Sequence, residues 1–148
     1  MLFRSTTSRE NTLARWAADL QNDFRARMDW CVQPFGRANH KPSAVLNGRK
    51  GAGLVRIRAN PSASLELSAR GSKDPDGNAV GYAWTVYSEA GTYRGPVTIE
   101  GSDRESARIQ IPADSAGGTI HVILTVRDNG EPPLAAYRRA VIEIGRAL

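Results

Sequence analysis

Two groups of oxygen-bearing side chains are the residues of this sequence best suited to holding a metal ion. One group lies around residue 76 and the other around residue 129, each in a stretch that contains Gly and Pro. If both loops emerge at one end of a domain, their oxygens could converge on Ca²⁺, which takes about six to eight oxygen ligands. Turn geometry is the alternative, because Asp and Asn side chains also bond to nearby backbone groups in turns. The candidate ligands are Asp74, Asp76, Asn78, Asp128, Asn129 and Glu131.

A second candidate site would bind carbohydrate. Tyr87 and Tyr93 flank a short segment that contains Glu89, and aromatic rings with polar neighbours can receive a sugar ring. Tyr87 has the opposite parity to Trp84 in an alternating run, so we expect it to face outward. A solitary exposed tyrosine is also common, which leaves both interpretations open.

Catalytic chemistry has little support in the sequence. Cys31 is the only cysteine, and His40 and His121 are the only histidines. A nucleophilic thiol needs a basic partner, whereas a buried thiol acts as a small hydrophobic group. The position of Cys31, at the end of a helical pattern, favours burial. The carboxylates cluster in turns and are not opposed as in a glycosidase. We therefore predict no enzyme and no catalytic residue in this chain.

Length and charge limit the remaining classes of function. The 148 residues, 41% of them hydrophobic and 24% charged, suffice for one domain with a core. Residues 1–60 hold 11 Lys and Arg against 4 Asp and Glu, while the rest hold 9 against 11. The basic residues are scattered among Gly, Asn and Pro, which is not typical of a nucleic-acid-binding surface. We expect no nucleic-acid or membrane partner, and the polar first ten residues contain no signal-peptide core.

The leading segment, residues 1–33, predicts one amphipathic helix. Asn11 is its predicted N-cap and Pro34 its predicted stop. Such a helix needs a surface to pack on, either the following domain or a preceding one. Residues 34–53 lack periodicity and are rich in Gly, Pro and Asn, which predicts a linker or an irregular wrap. The apolar stripe consists of Leu13, Trp16, Ala17, Leu20, Phe24 and Met28, of which Leu13, Trp16, Leu20 and Phe24 are the predicted docking residues.

Residues 54–148 alternate apolar and polar side chains and predict about seven short strands. Turn signals such as Asn60-Pro61 separate them, and no helical pattern intervenes. This arrangement favours an immunoglobulin-like sandwich of two antiparallel sheets. The inward positions include Leu67, Trp84, Ile109 and Leu124, which must share one interior if the prediction holds.

Several motifs carry a resemblance to known families. Residues 72–76, Tyr82-Ala83-Trp84 and residues 126–130 resemble the PKD and cadherin-like group of extracellular sandwiches. The chain more closely resembles the C-terminal part of bacterial nucleoside-hydrolase-like proteins that are often described as cellulose-binding. The motifs behind this second resemblance are NDFRARMDWC at 22–31, Asn39-His40, EAGTY at 89–93, IPAD at 111–114 and DNGEPPL at 128–134.

The second resemblance implies that a larger α/β domain comes first, carries any hydrolase chemistry and ends in the predicted helix. It also implies a bacterial protein outside the cytoplasm, extracellular or periplasmic. The leading hypothesis is therefore a non-catalytic structural and interaction module, accessory to a nucleoside-hydrolase-like domain. The alternatives are a module that binds cellulose or another glycan, and a calcium-stabilised extracellular domain. No cofactor other than Ca²⁺ is expected.

Overall fold

The computed structural model describes the backbone of residues 9–146 and the side chains of residues 13–146. A long helix, α1 (Arg9–Val32), leads into seven strands, with short 3-10 turns at Phe35–Arg37 and Ala113–Ser115. The strands are β1 (Val55–Ala59), β2 (Ser64–Ser68), β3 (Val80–Val86), β4 (Thr98–Glu100), β5 (Ser106–Gln110), β6 (Thr119–Asp128) and β7 (Ala135–Ile144).

The ends of α1 follow the sequence prediction in part. Pro34 stops the helix as predicted, because the residue before a proline is driven out of the helical region and α1 ends at Val32. The predicted N-cap is wrong, since α1 already runs from Arg9 and Asn11 lies inside it. Cys31 is exposed rather than buried, and its Sγ donates to the Arg27 carbonyl at 3.3 Å. Within residues 9–146, no helix is long and apolar enough to cross a membrane.

Two sheets form the predicted sandwich. One has the order β1-β7-β6-β3 and the other the order β2-β5-β4. The predicted fold class is confirmed, mostly β with seven strands in two sheets of an immunoglobulin-like sandwich. One pairing differs from the antiparallel expectation, because β1 runs parallel to β7 with Val55 opposite Ala140. The pairing reaches Ala59 opposite Ile144, so the first half of β7, residues 135–139, has no β1 neighbour.

Period-two alternation correctly identified the core. Leu67, Ile109 and Leu124 are fully buried, and Trp84 is nearly so. All four belong to one hydrophobic cluster between the sheets. Trp84 also donates its indole N–H to the Arg104 carbonyl at 2.9 Å, which satisfies the one polar group of a buried tryptophan.

The segment 34–53 is a wrap rather than a free linker. Leu46 is fully buried and, with Ala44, belongs to the sandwich core. Ser43 pairs with Lys73 through two backbone hydrogen bonds of 2.7 and 3.1 Å, and Asn47 donates to the Ser68 carbonyl at 2.8 Å. Aperiodic backbone can be buried here because its polar groups find partners on the sandwich.

Candidate functional site

The contact that fixes α1 on the sandwich centres on Asp19. Its carboxylate accepts two hydrogen bonds from Arg127 Nη2 of β6, at 2.6 and 2.7 Å, and one from the Tyr137 hydroxyl of β7. Trp16, one turn earlier, meets the Tyr137 ring edge-on with centroids 5.1 Å apart. An ion pair joined by a tyrosine and an aromatic contact therefore attaches the middle of the helix to the four-stranded sheet.

This environment holds Tyr137 in its neutral form. Burial, followed by the hydrogen bond and the negative charge of Asp19, raises the pKa of Tyr137 far above its usual value. In the unfolded chain a tyrosine ionises near pH ~10. The contribution of Tyr137 to stability is therefore complete below that pH and is lost as the pH rises toward the folded-state pKa.

Further contacts hold both ends of the helix to loops of the sandwich. Near its start Arg15 Nη2 lies 3.0 Å from Glu89 Oε1, and near its end Trp30 Nε1 donates to the Asn39 carbonyl at 2.8 Å. Arg25 and Glu131 form an ion pair at 2.7 Å, but both are largely exposed, so we assign it little energy. The helix is thus tied to the sandwich along much of its length.

Most of the predicted apolar stripe of α1 points to solvent and not to the sandwich. Leu13, Leu20 and Phe24 are 63, 58 and 64% exposed. At about 100° per residue these three side chains lie on one face of α1, while Asp19 lies roughly a third of a turn away. Among the four predicted docking residues, Trp16 contacts the sandwich through Tyr137.

A groove of about 620 Å³ lies between α1 and the uncovered part of β7. Its walls are largely apolar and aromatic, and Arg138 lies within it. Leu20 belongs both to this groove and to the exposed stripe. The residues that line the groove without carrying charge are Trp16, Leu20, Ala52, Leu54, Ile123, Ala135 and Tyr137.

Most of the predicted metal ligands, which lie in neighbouring loops, form other bonds, while Asp74 Oδ2 is buried without a partner among the described residues. Asp74 Oδ1 accepts from the backbone of residues 76 and 78, Asp76 binds the backbone and ring of His40, and Glu131 pairs with Arg25. Asp128 Oδ1 accepts from the backbone of residues 130 and 134. Within the described part of the chain, no three His, Cys, Asp or Glu side chains are placed to hold a metal ion. Asp74 and Asp128 thus make the side-chain-to-backbone bonds of turn geometry, and calcium binding stays a prediction.

The predicted carbohydrate residues are not brought together as one surface. Arg15 of α1 lies over the Tyr87 ring at 5.8 Å and also pairs with Glu89, so both side chains contact the helix. Tyr93 packs against the core, and its hydroxyl donates to Asp114 at 2.8 Å.

The two histidines do not form a catalytic arrangement with each other. His40 Nδ1 lies 3.0 Å from Asp76 Oδ1 in the loop region. His121 lies on β6, where burial, Arg139 and Arg56 lower its pKa and favour the neutral ring.

Comparison with known proteins places this architecture in a family. Residues 64–144, more than half of the chain, match the family model described as the C-terminal domain of cellulose-binding protein Sde0182. The chain belongs to this family.

One solved relative of this Sde0182 C-terminal domain family member is described as a nucleoside hydrolase-related hypothetical protein from Saccharophagus degradans, associated with carbohydrate metabolism. It is 44% identical, with a TM-score of 0.86 over 88% of this chain and 32% of its own length. This chain therefore spans about a third of that protein. The matched 88% of the chain is longer than residues 54–148 together with residues 34–53. The match therefore includes part of the leading segment.

More distant structural likenesses are to sandwiches of animal proteins. The PKD domain from KIAA 1837 protein is 18% identical with a TM-score of 0.45, over 66% of this chain and 88% of its own. Mouse cadherin-23 EC22–24 is 20% identical with a TM-score of 0.49, over 72% and 33%. Comparison with proteins of curated function returns no match.

Sequence reasoning missed one exposed aromatic cluster of this family member. The His40 ring stacks on Trp30 with centroids 5.6 Å apart and lies 4.0 Å from that of Phe35, which is 78% exposed. The three residues come from the end of α1 and from the aperiodic segment after it. The only signal in the sequence was the short spacing of three aromatic rings within eleven residues, at Trp30, Phe35 and His40.

A second missed feature is the role of Asn39, which joins three loops. Its Nδ2 donates to Asp128 Oδ2 at 3.1 Å and to the Pro132 carbonyl at 2.8 Å, while its Oδ1 accepts from Asn78 at 2.9 Å. A Cβ at Gly130 would overlap the Asn39 carboxamide. Buried Asn39 thus joins the two acidic loops through hydrogen bonds.

We expect Asn39→Ala to lower the free energy of unfolding by about 1–3 kcal/mol, because it leaves the buried Asp128 carboxylate and the Pro132 carbonyl with fewer partners. Urea denaturation measures the change. Asn129→Ala, an exposed residue of the same loop, should stay within about 0.5 kcal/mol of the wild type. Equal losses for both variants would contradict the assigned role of Asn39.

Proposed function

We propose that this chain is a non-catalytic interaction module whose exposed helix face packs against a nucleoside-hydrolase-like domain and helps to position it. The observation that carries this proposal is the orientation of α1. The helix is fixed to the sandwich through Asp19, and this leaves Leu13, Leu20 and Phe24 in solvent. The location that goes with this proposal is extracellular or periplasmic.

The energy available on that face supports docking. Complete burial of one Leu, Phe or Met side chain stabilises an interface by about 1.5–3 kcal/mol. The stripe offers Leu13, Leu20, Phe24 and Met28, all exposed on one face. A contiguous apolar surface of this kind marks an interaction site in a soluble protein.

The size of the relative supports the choice of partner. The S. degradans protein is about three times as long as this chain and is described as nucleoside hydrolase-related. Its similarity to this chain extends into the leading segment, which contains α1. A neighbouring domain that covers the stripe is the partner that fits these two facts.

Cysteine accessibility tests the docking proposal. In a Cys31→Ser background, we expect Phe24→Cys to react rapidly with a maleimide in this chain. When this chain replaces the matching region of the S. degradans protein, the reaction should slow by about tenfold or more, because the thiol is then covered. Mass spectrometry of the labelled peptide measures the rate at that site.

Glu66→Cys is the matched control, since Glu66 is exposed on β2. Its labelling rate should be the same in both proteins. Equal rates for Phe24→Cys in the isolated chain and in the joined protein would refute docking through the stripe.

Carbohydrate binding is the second candidate function, and one observation favours it. The family description names cellulose, and Phe35 and Trp30 form an exposed aromatic surface around His40. Aromatic side chains with a few polar groups are the usual lining of such binding sites. This cluster replaces Tyr87, Glu89 and Tyr93 as the best candidate surface.

A cellulose pull-down tests this second function. We expect the wild type to sediment with insoluble cellulose and Phe35→Ala to remain mostly in the supernatant, because the exposed ring is lost. Val32→Ala, which shortens a neighbouring side chain that is 81% exposed, is the control and should sediment like the wild type. A wild-type protein found wholly in the supernatant would end this hypothesis.

A further inference from the structure

We propose that two copies of this protein pair through the free edge of β3, antiparallel and with a two-fold axis at Gly81. The two four-stranded sheets, each with the order β1-β7-β6-β3, then join into one sheet of eight strands. The surface involved is separate from the exposed face of α1. This inference therefore goes beyond the docking function and does not depend on it.

The direction of the backbone groups of β3 follows from two hydrogen bonds. In an antiparallel pair, the N–H and C=O groups of successive residues point alternately toward the neighbouring strand and away from it. Just past β3, the N–H of Tyr87 donates to the His121 carbonyl of β6 at 2.8 Å. The N–H of Trp84 points the other way and donates to the Ser102 carbonyl at 2.7 Å. The even-numbered residues of β3 therefore direct their backbone groups away from β6.

Val80 and Tyr82 share this direction and leave the first half of the edge open. Among residues 9–146, no backbone hydrogen bond joins either of them to a segment on that side. Gly81 and Ala83 between and beside them are exposed, and an open groove of about 410 Å³ lies along residues 79–83. An incoming strand can therefore reach two N–H and two C=O groups.

The other three sheet edges have features that discourage pairing. The strands at the ends of the two sheets are β1, β2, β3 and β4. β1 carries Arg56 and Arg58, and β4 has three residues and ends at the charged Glu100. On β2, Ser68 exchanges two hydrogen bonds of 2.8 Å with Asn47 of the preceding wrap. Charges, short strands and covering segments are the usual protections of a sheet edge.

β3 lacks these protections over its first half. Residues 79–86 contain no charged residue and no proline. The bond from Trp84 to Ser102 covers the edge only toward the far end of the strand. An exposed and uncharged edge is a template for pairing with another strand. The first half of β3 is thus the edge best suited to an interaction.

The symmetry of the sequence about Gly81 favours a second copy as the occupant. A two-fold axis there places Val80 opposite Tyr82 of the second copy, and the reverse, as two hydrogen-bonded pairs. A β-branched residue opposite an aromatic one is a favourable cross-strand pair. On the outer face only Ala79, Gly81 and Ala83 meet. At the axis, where opposite Cα atoms approach to about 4.5 Å, glycine leaves no side chain in the way.

A charge swap at Gly81 tests this arrangement in the whole chain. We expect Gly81→Lys and Gly81→Glu each to weaken self-association by about tenfold or more, because like charges then lie directly opposite each other. A mixture of the two variants should restore the dimer, since opposite charges then meet. Sedimentation equilibrium measures the mass. The nearest atom to a Cβ at Gly81 is the Arg127 carbonyl oxygen at 4.0 Å, so both variants should fold, which their melting temperatures check.

Two control variants separate this edge from other surfaces. Thr85→Lys places the same charge on the same strand, at an exposed residue beyond the paired stretch, and should leave self-association unchanged. Phe24→Ala changes the exposed face of α1 and should also leave it unchanged. In the wild type, the Val80 and Tyr82 amides should exchange about tenfold more slowly as the dimer forms, while the Ala83 amide, directed to β6, should not change.

Several results would overturn pairing through β3. One is a wild-type protein that keeps the monomer mass up to the concentrations used for NMR. Another is a Gly81→Lys protein that associates as the wild type does, or a mixture of the Lys and Glu variants that stays monomeric. Loss of the dimer in Phe24→Ala would assign the contact to α1 and refute the β3 edge. Labelling of Phe24→Cys in the joined protein decides the docking function separately.

Discussion

The orientation of α1 depends on the bond between Asp19 and the pair Arg127 and Tyr137. These two residues come from adjacent strands, so a single carboxylate joins the helix to two strands of one sheet. A helix is rigid, and fixing one residue fixes the direction of every other side chain along it. The solvent exposure of Leu13, Leu20 and Phe24 follows from this attachment and from the contacts that hold both ends of the helix.

Asp19, rather than the exposed apolar stripe of α1, makes the contact with the four-stranded sheet. If the stripe covered the sheet, Asp19 would turn away and Arg127 and Tyr137 would lose their shared acceptor. An ion pair with a hydrogen-bonded tyrosine in a partly buried place has geometric specificity that apolar surface lacks. The apolar stripe therefore remains available to a partner. The groove between α1 and β7 has the same origin, since one wall of it is the attached helix.

The sequence predicted the elements that obey a simple period. Alternation identified Leu67, Trp84, Ile109 and Leu124 as core residues, and spacings of three and four identified α1. Such patterns report which side chains share one face of an element, which local sequence determines. The family resemblance is confirmed by the matching family model and the S. degradans relative. The preceding domain that the resemblance implies stays a prediction.

The remaining features depend on contacts between distant residues. Asn39 and Leu46 lie in a segment without periodicity, so their burial had no signal in the sequence. The acidic loops are adjacent as predicted, yet adjacency does not fix which way a carboxylate turns, and Asp128 turns to backbone N–H groups and Asn39. Arg138 is unexpected because a charged residue in a strand normally faces solvent. It has the parity of the core residues Ala140 and Ile142, and its Nη2 donates to the Gly53 carbonyl at 3.1 Å.

Hydrogen exchange of the α1 amides in Asp19→Ala tests this attachment most directly. Most of the stability of a helix in a protein comes from tertiary packing, so α1 amides should be best protected in the wild type while the helix is bound to the sandwich. We expect Asp19→Ala to lose protection along α1 by about tenfold while β6 and β7 keep theirs. Asp23→Ala, whose ion pair with Arg27 lies within the helix, should stay close to the wild type. Unchanged α1 protection in Asp19→Ala would contradict the claim that Asp19 fixes the helix and exposes its apolar face.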